Sequence, residues 1–142
     1  LELAHYEWIE LALFISINVP DSERIDPEGS LLEQRPVLNP VLANLCYRWP
    51  VHRIGPRARI MPVETYLLVF RDTSDQIQFT EINAFTSRLV RLLETTEYTG
   101  QTALEIIAAE SRHPLPEVVI QGGLEIMRDF RARGALLGVA KY

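Results

Sequence analysis

Thr65-Tyr66-Leu67-Leu68-Val69-Phe70-Arg71-Asp72-Thr73-Ser74-Asp75-Gln76-Ile77-Gln78-Phe79-Thr80-Glu81-Ile82-Asn83 carries most of the architecture. Residues 65–72 are apolar on both faces, which fits a central strand. Asp72 to Asp75 is turn chemistry. Residues 76–83 alternate Ile77 and Phe79 with Gln78 and Thr80, the period of a half-buried strand. The two runs therefore form a hairpin. Asn83 then stands where a helix needs an N-cap.

Three helices are expected after the hairpin. In the first, Phe85, Leu89, Leu92 and Leu93 make one stripe. Thr99 caps the second, which turns Leu104, Ile107 and Ala108 inward. The third starts near Pro116, since proline suits a first turn, and stops before Gly134. Its inner face is Val119, Ile126 and Phe130. Gly122-Gly123 in its middle costs about 1 kcal/mol per glycine relative to alanine. Ala135 to Ala140 is a short apolar run, a last strand or a tail.

Working toward the N-terminus, Cys46 to Ile54 reads as a strand, with Tyr47, Trp49 and Val51 alternating with Arg48, Pro50 and His52. Pro50 cannot donate to a ladder and favours an edge or bulge. Residues 18–35 are polar and read as a long loop that covers something or stays mobile. Ahead of it, Leu1, Ala4, Trp8, Leu11 and Ile15 mark one face of a helix, and Tyr6, Ile9, Leu13 and Ile17 a second. The expected fold class is α+β: an N-terminal helix, a small antiparallel three-stranded sheet, then three helices, in a winged-helix or PqqD-like order. Residues 1–45 form the helix and connecting loop. Residues 46–142 form a winged-helix-like peptide-recognition domain, and the whole is one compact unit.

Composition narrows the function classes. The chain has 142 residues, 47% of them hydrophobic and 23% charged, the balance of a globular domain and not of a disordered tail. A single cysteine excludes an internal disulfide framework and any Cys-cluster zinc site. The formal charge of −5 and pI of about 5.2 are a poor start for general nucleic-acid binding. The apolar N-terminal stretch carries Glu2, His5, Glu7 and Glu10 and has no basic leader, which argues against a signal peptide or membrane span. A cytoplasmic location is the expectation.

No residue set points to catalysis or to a resident cofactor. His5, His52 and His113 show no two-His metal spacing, and His5 reads as a satisfied residue of a buried helix. Cys46 and His52 share a strand face but lie roughly 20 Å apart, too far for a thiolate–imidazole pair. No Gly-x-Ser-x-Gly elbow and no phosphate-cradling glycine loop occurs. No catalytic residue, metal ligand or cofactor site is assigned, and the chain is not expected to be an enzyme.

Two features point to binding. Residues 46–59 hold Arg48, His52, Arg53, Arg57 and Arg59 without one acidic residue. That segment suits an acidic peptide, an acidic partner surface or phosphate; it equally suits a solvated strand face paired with the acidic loop at 21–33. The second feature is the edge of the hairpin, residues 76–83. An edge strand leaves N–H and C=O groups that an extended peptide can pair with. Gln78, Thr80 and Glu81 would flank such a peptide, with Arg128 and Arg131 on the third helix, taken as the wall of the groove. The alternative use of a winged helix is DNA binding. Glu105 and Glu110 in the second helix, and Glu117, Glu125 and Asp129 against Arg128, Arg131 and Arg133 in the third, leave no clean basic face for phosphates.

The segment from Thr65 to Gly138, with its hairpin, Glu81-Ile82-Asn83 running into a helix and Thr99-Gly100 opening the next, resembles the small PqqD-like domains that recognise leader peptides of ribosomally made, modified peptides. The whole chain resembles more closely the C-terminal region of HvfC-type maturation proteins, through Glu2-Leu3-Ala4-His5-Tyr6-Glu7-Trp8, Tyr47-Arg48-Trp49-Pro50-Val51-His52-Arg53-Ile54 and Thr65-Tyr66-Leu67-Leu68-Val69-Phe70-Arg71. That family also carries a helical N-terminal domain, labelled DNA-binding, without a counterpart in these residues. The resemblance implies a non-catalytic partner of a multinuclear non-haem iron oxidase that modifies cysteines of a precursor peptide. It implies that the iron belongs to the oxidase. Arg48, His52 and Arg53 are then the candidate contacts to that partner. The expected function is capture of the precursor peptide by strand addition and its presentation to the oxidase, the alternative being a DNA-binding regulator.

Overall fold

Leu67, Leu68, Val69 and Phe70 are all essentially inaccessible to solvent, so the strand they form must be covered on two sides, and the chain is arranged to do that. The computed structural model describes residues 4, 5, 8, 9, 12, 24–47, 65–72, 74–95 and 97–140. Within them the order is β1 (Ile25–Asp26), β2 (Pro36–Leu38), β3 (Leu42–Tyr47), β4 (Thr65–Arg71), β5 (Ile77–Ile82), α1 (Ala84–Glu94), α2 (Gly100–Glu110), α3 (Pro116–Arg133) and β6 (Leu136–Ala140).

Two antiparallel sheets result, ordered β3-β4-β5 and β1-β6-β2. The sequence led us to expect one. The second sheet exists because Ala135 to Ala140 is a strand, central to its sheet, and because residues 25, 26 and 36–38 from the expected loop pair with it. Those partners are too short to show a period of two, which is why they read as loop.

The register Leu42↔Phe70, Asn44↔Leu68 and Leu68↔Thr80 puts Leu42, Asn44, Leu68, Phe70, Gln78, Thr80 and Ile82 on one face of the first sheet. Leu42, Leu68, Phe70 and Ile82 join Leu89, Val90 and Leu93 of α1 in the main core. The opposite face sets Ala43, Leu45, Leu67, Val69, Ile77 and Phe79 around Ile9. The alternation in β5 was legible, but Ile77 and Phe79 point toward Ile9 and away from α1.

Among the N-terminal residues, Ala4, His5, Trp8, Ile9 and Ala12 are helical; the rest of the expected N-terminal helix lies outside the described residues. Ile9 is buried and Trp8 is 59% exposed. His5 is exposed as well, its ring 5.9 Å from that of Trp8. The expectation of a buried His5 is therefore corrected: the Ile9 face of this segment meets the sheet, and the Ala4–Trp8 face does not.

The helix ends are where local chemistry puts them. Asn83 Oδ1 accepts the Thr86 amide at 2.8 Å and Thr99 Oγ1 the Thr102 amide at 3.1 Å. Pro116 occupies the first turn of α3, and Gly134 closes it at φ 92, the left-handed turn that favours glycine. The expected loop is a strap. Leu31 within it is buried in the main core, and its carbonyls at Gln34 and Leu32 accept the amides of Gly100 and Gln101. Those amides open α2 and have no partner inside the helix. A side chain on Gly100 would overlap the Leu31 carbonyl.

Asn39 joins the two sheets. Its Nδ2 donates to the carbonyls of Arg71 (2.7 Å) and Gly134 (2.9 Å), and its Oδ1 accepts the Val41 amide at 2.8 Å. Asn39→Ala orphans these partly buried groups and should cost about 2 kcal/mol, read as a lower midpoint in urea. The glycine pair in α3 splits cleanly. A Cβ on Gly123 would overlap the Leu104 side chain, whereas one on Gly122 meets nothing. Gly122→Ala should therefore stabilise by about 1 kcal/mol and Gly123→Ala should destabilise, measured in the same titration.

Candidate functional site

Asp72 builds the tip of the hairpin. Its Oδ1 accepts the amides of Ser74 (2.9 Å) and Gln76 (3.0 Å), and its Oδ2 accepts Gln78 Nε2 at 2.8 Å. Asp75 sits at φ 61, a conformation aspartate tolerates, and its amide donates to the Asp72 carbonyl. The amides, that of Gln76 first and then the Gln78 side chain, hold the Asp72 carboxyl below its ordinary value of 3.8, because they stabilise the charged form.

The sequence-predicted residues fall in several places. Gln78 is exposed and its amide is committed to Asp72. Thr80 is half-buried on the α1 face of the sheet, and Glu81 is exposed on the opposite face beside Leu67. Arg131 donates to the Gly29 carbonyl at 3.0 Å and so holds the strap, while Arg128 is exposed. Helix α3 packs mainly on α2 and β6, and α1 is the helix that contacts β3 and β4. The wall expected from α3 beside β5 is thus not its main packing, because α3 is occupied with the second sheet. Arg48, His52 and Arg53 lie outside the described residues.

Among the described residues, two ion pairs join charges on the helices. Arg88 forms a two-pronged pair with Glu110, at 3.0 and 2.6 Å, that ties α1 to α2. The pair raises the guanidinium and lowers the carboxyl. Arg133 pairs with Asp129 at 3.2 Å. Arg131 is engaged on the strap, and the exposed Arg128 stands on α3 among Glu125 and Asp129, which is not a clean basic face for phosphate. No group of three or more His, Cys, Asp or Glu is placed to hold a metal ion among the described residues, and no helix there is long and apolar enough to cross a membrane.

The remaining polar backbone sits on the sheet rims. The Arg71 amide donates to the Val41 carbonyl and the Asp72 amide to the Gln76 carbonyl. Given the register, the ladder alternates from there. Ala43 and Leu45 point their backbone groups at β4, and Leu42, Asn44 and Cys46 point theirs outward. On β5, Gln78, Thr80 and Ile82 point inward and Ile77, Phe79 and Glu81 outward. Sequence reasoning began this first strand at Cys46 and so missed Leu42 and Asn44. The apolar–polar alternation starts only at Tyr47, and Ala43-Asn44 interrupts any apolar period.

Residues 39–131 match the HvfC C-terminal domain family. No curated protein matches the chain.

The depressed Asp72 carboxyl fixes a pH dependence. Its folded-state value lies below its unfolded one, so its contribution is complete above the unfolded value and fades as pH falls through the folded one. The stability gap between the wild type and Asp72→Ala should be widest near neutrality and close progressively below pH 3.8. Paired denaturant titrations across that range check this.

Proposed function

The chain belongs to the HvfC C-terminal domain family, and we propose that it is a non-catalytic partner in the maturation of a ribosomally made peptide. In this reading it captures the precursor peptide in extended form by strand addition to the first sheet. It then presents the peptide to a multinuclear non-haem iron oxidase, which owns the iron and performs the oxidation. The family match over residues 39–131 carries the proposal. It spans β3, β4, β5, α1 and α2, and nearly all of α3.

The fold supports this division of labour. Both faces of the first sheet are covered by the protein's own side chains, so what it can offer a guest chain is a rim, and rims recognise extended backbone. Capturing a peptide beside an oxidase raises its effective concentration there and fixes which residue meets the reactive centre. Neither task requires this chain to form or break a covalent bond. Arg48, His52 and Arg53 are proposed as the contact to the oxidase, as a basic segment suited to an acidic partner surface.

Co-expression with a multinuclear non-haem iron oxidase and a cysteine-containing precursor peptide, both taken from reading frames neighbouring the gene, is the test. The expected result is co-purification of both with this chain. Arg48→Glu with Arg53→Glu should lower oxidase recovery at least tenfold and leave peptide binding intact. Failure of the unmodified chain to retain either partner would refute the proposal.

A further inference from the structure

Proteins protect terminal strands with charge, proline, a bulge, short length or a covering segment, since an open edge pairs with any extended chain it meets. Three of the four terminal strands here carry such protection. β1 has two residues. β2 begins at Pro36, and its register shifts between Val37 and Leu38. β5 carries Glu81 on its outward side, and both Phe79 and Glu81 already have interactions of their own. β3 is the exception. Leu42 to Tyr47 runs for six residues without a charge or a proline, in unbroken register with β4. Among the described residues, no backbone group pairs with its outward N–H and C=O groups at Leu42, Asn44 and Cys46.

We infer that the docking rim for the precursor peptide is the outer edge of β3, through the backbone of Leu42, Asn44 and Cys46, and not the edge of β5. The inference rests on the reading above that the chain captures such a peptide; what it adds is the place. The occupant is an extended segment of that peptide, because donor–acceptor pairs repeating every second residue, about 6.8 Å apart, are matched by another extended backbone. The rim is pre-formed. Asn44 Nδ2 donates to the Ser87 carbonyl at 2.9 Å, and Ser87 Oγ donates back to Asn44 Oδ1 at 3.0 Å. The strand is thereby pinned to α1 by a side chain while its backbone stays presented.

Amide hydrogen exchange on the full, labelled chain, with a synthetic copy of the precursor peptide used in the co-expression test above, decides the matter. In the free protein the amides of Leu42, Asn44 and Cys46 should exchange at least tenfold faster than those of Ala43 and Leu45. Added peptide should slow the outward three at least tenfold. Cys46→Pro removes one outward donor without touching the ladder to β4 and should weaken peptide binding at least tenfold; Cys46→Ser should not. If Cys46→Pro fails to fold, the exchange pattern of the unmodified chain still decides. Peptide binding that protects Ile77 and leaves the β3 amides unchanged would overturn the placement while sparing the proposed function. Protection of the β3 amides that grows with protein concentration alone would assign the rim to a second copy and overturn it. Absence of peptide binding would overturn both.

Discussion

The constraint on which the structure depends is that β4 has no face it can show to water. Burying a side chain such as Leu or Phe contributes about 1.5–3 kcal/mol, and four in succession lie in this strand. Leu68 and Phe70 demand a cover on one side, Leu67 and Val69 on the other. Helix α1 supplies the first through Leu89, Val90 and Leu93, and Ile9 packs on the second. A hairpin with one covered face would need only the helices. With two apolar faces, Ile9 becomes part of the same fold.

That demand propagates. α1 must lie across β3 and β4, so α2 and α3 stack outward from it. α3 then returns the chain to β6 through the Gly134 turn. β6 in turn needs partners, and it finds them in the strap, which enters the core at Leu31. The carbonyls of the strap quench the first amides of α2, and Arg131 grips it at Gly29. A segment poor in regular structure is thus held by groups that would otherwise be orphaned at the ends of regular elements. Asn39 completes the link by serving both sheets at once.

What the sequence disclosed follows the same logic. Periods sustained over a whole element were legible: the two-sided strand at 65–71, the hairpin and the three helices with their caps at Asn83 and Thr99. Elements whose existence depends on a distant partner were not. β1 and β2 are strands only because β6 lies between them, and nothing within two or three residues can announce that. The candidate site divided in the same way. The idea of a rim was available from the hairpin, but which rim is open depends on the ladder's alternation and on what each outward group meets. Gln78 looked like a contact residue and serves the turn; Arg131 looked like one and serves the strap. A polar side chain at a plausible position says little until its partner is known.

The arithmetic of a rim bears on why a protein of this kind would act jointly with an enzyme. Leu42, Asn44 and Cys46 each offer one N–H and one C=O, and a hydrogen bond contributes about 0.5–1.5 kcal/mol net of water. Ordering each guest residue costs about 1–2 kcal/mol. Backbone pairing alone therefore comes close to cancelling, however well the rim is pre-formed by Asn44 and Ser87. Side chains of the guest must add burial beside the rim, or a second contact must hold the same peptide. A second contact on a bound oxidase converts the weak pairing into an intramolecular one and makes capture depend on the complex being assembled. Weak pairing at an open edge is in this sense suited to a partner that must also release its peptide once the chemistry is done.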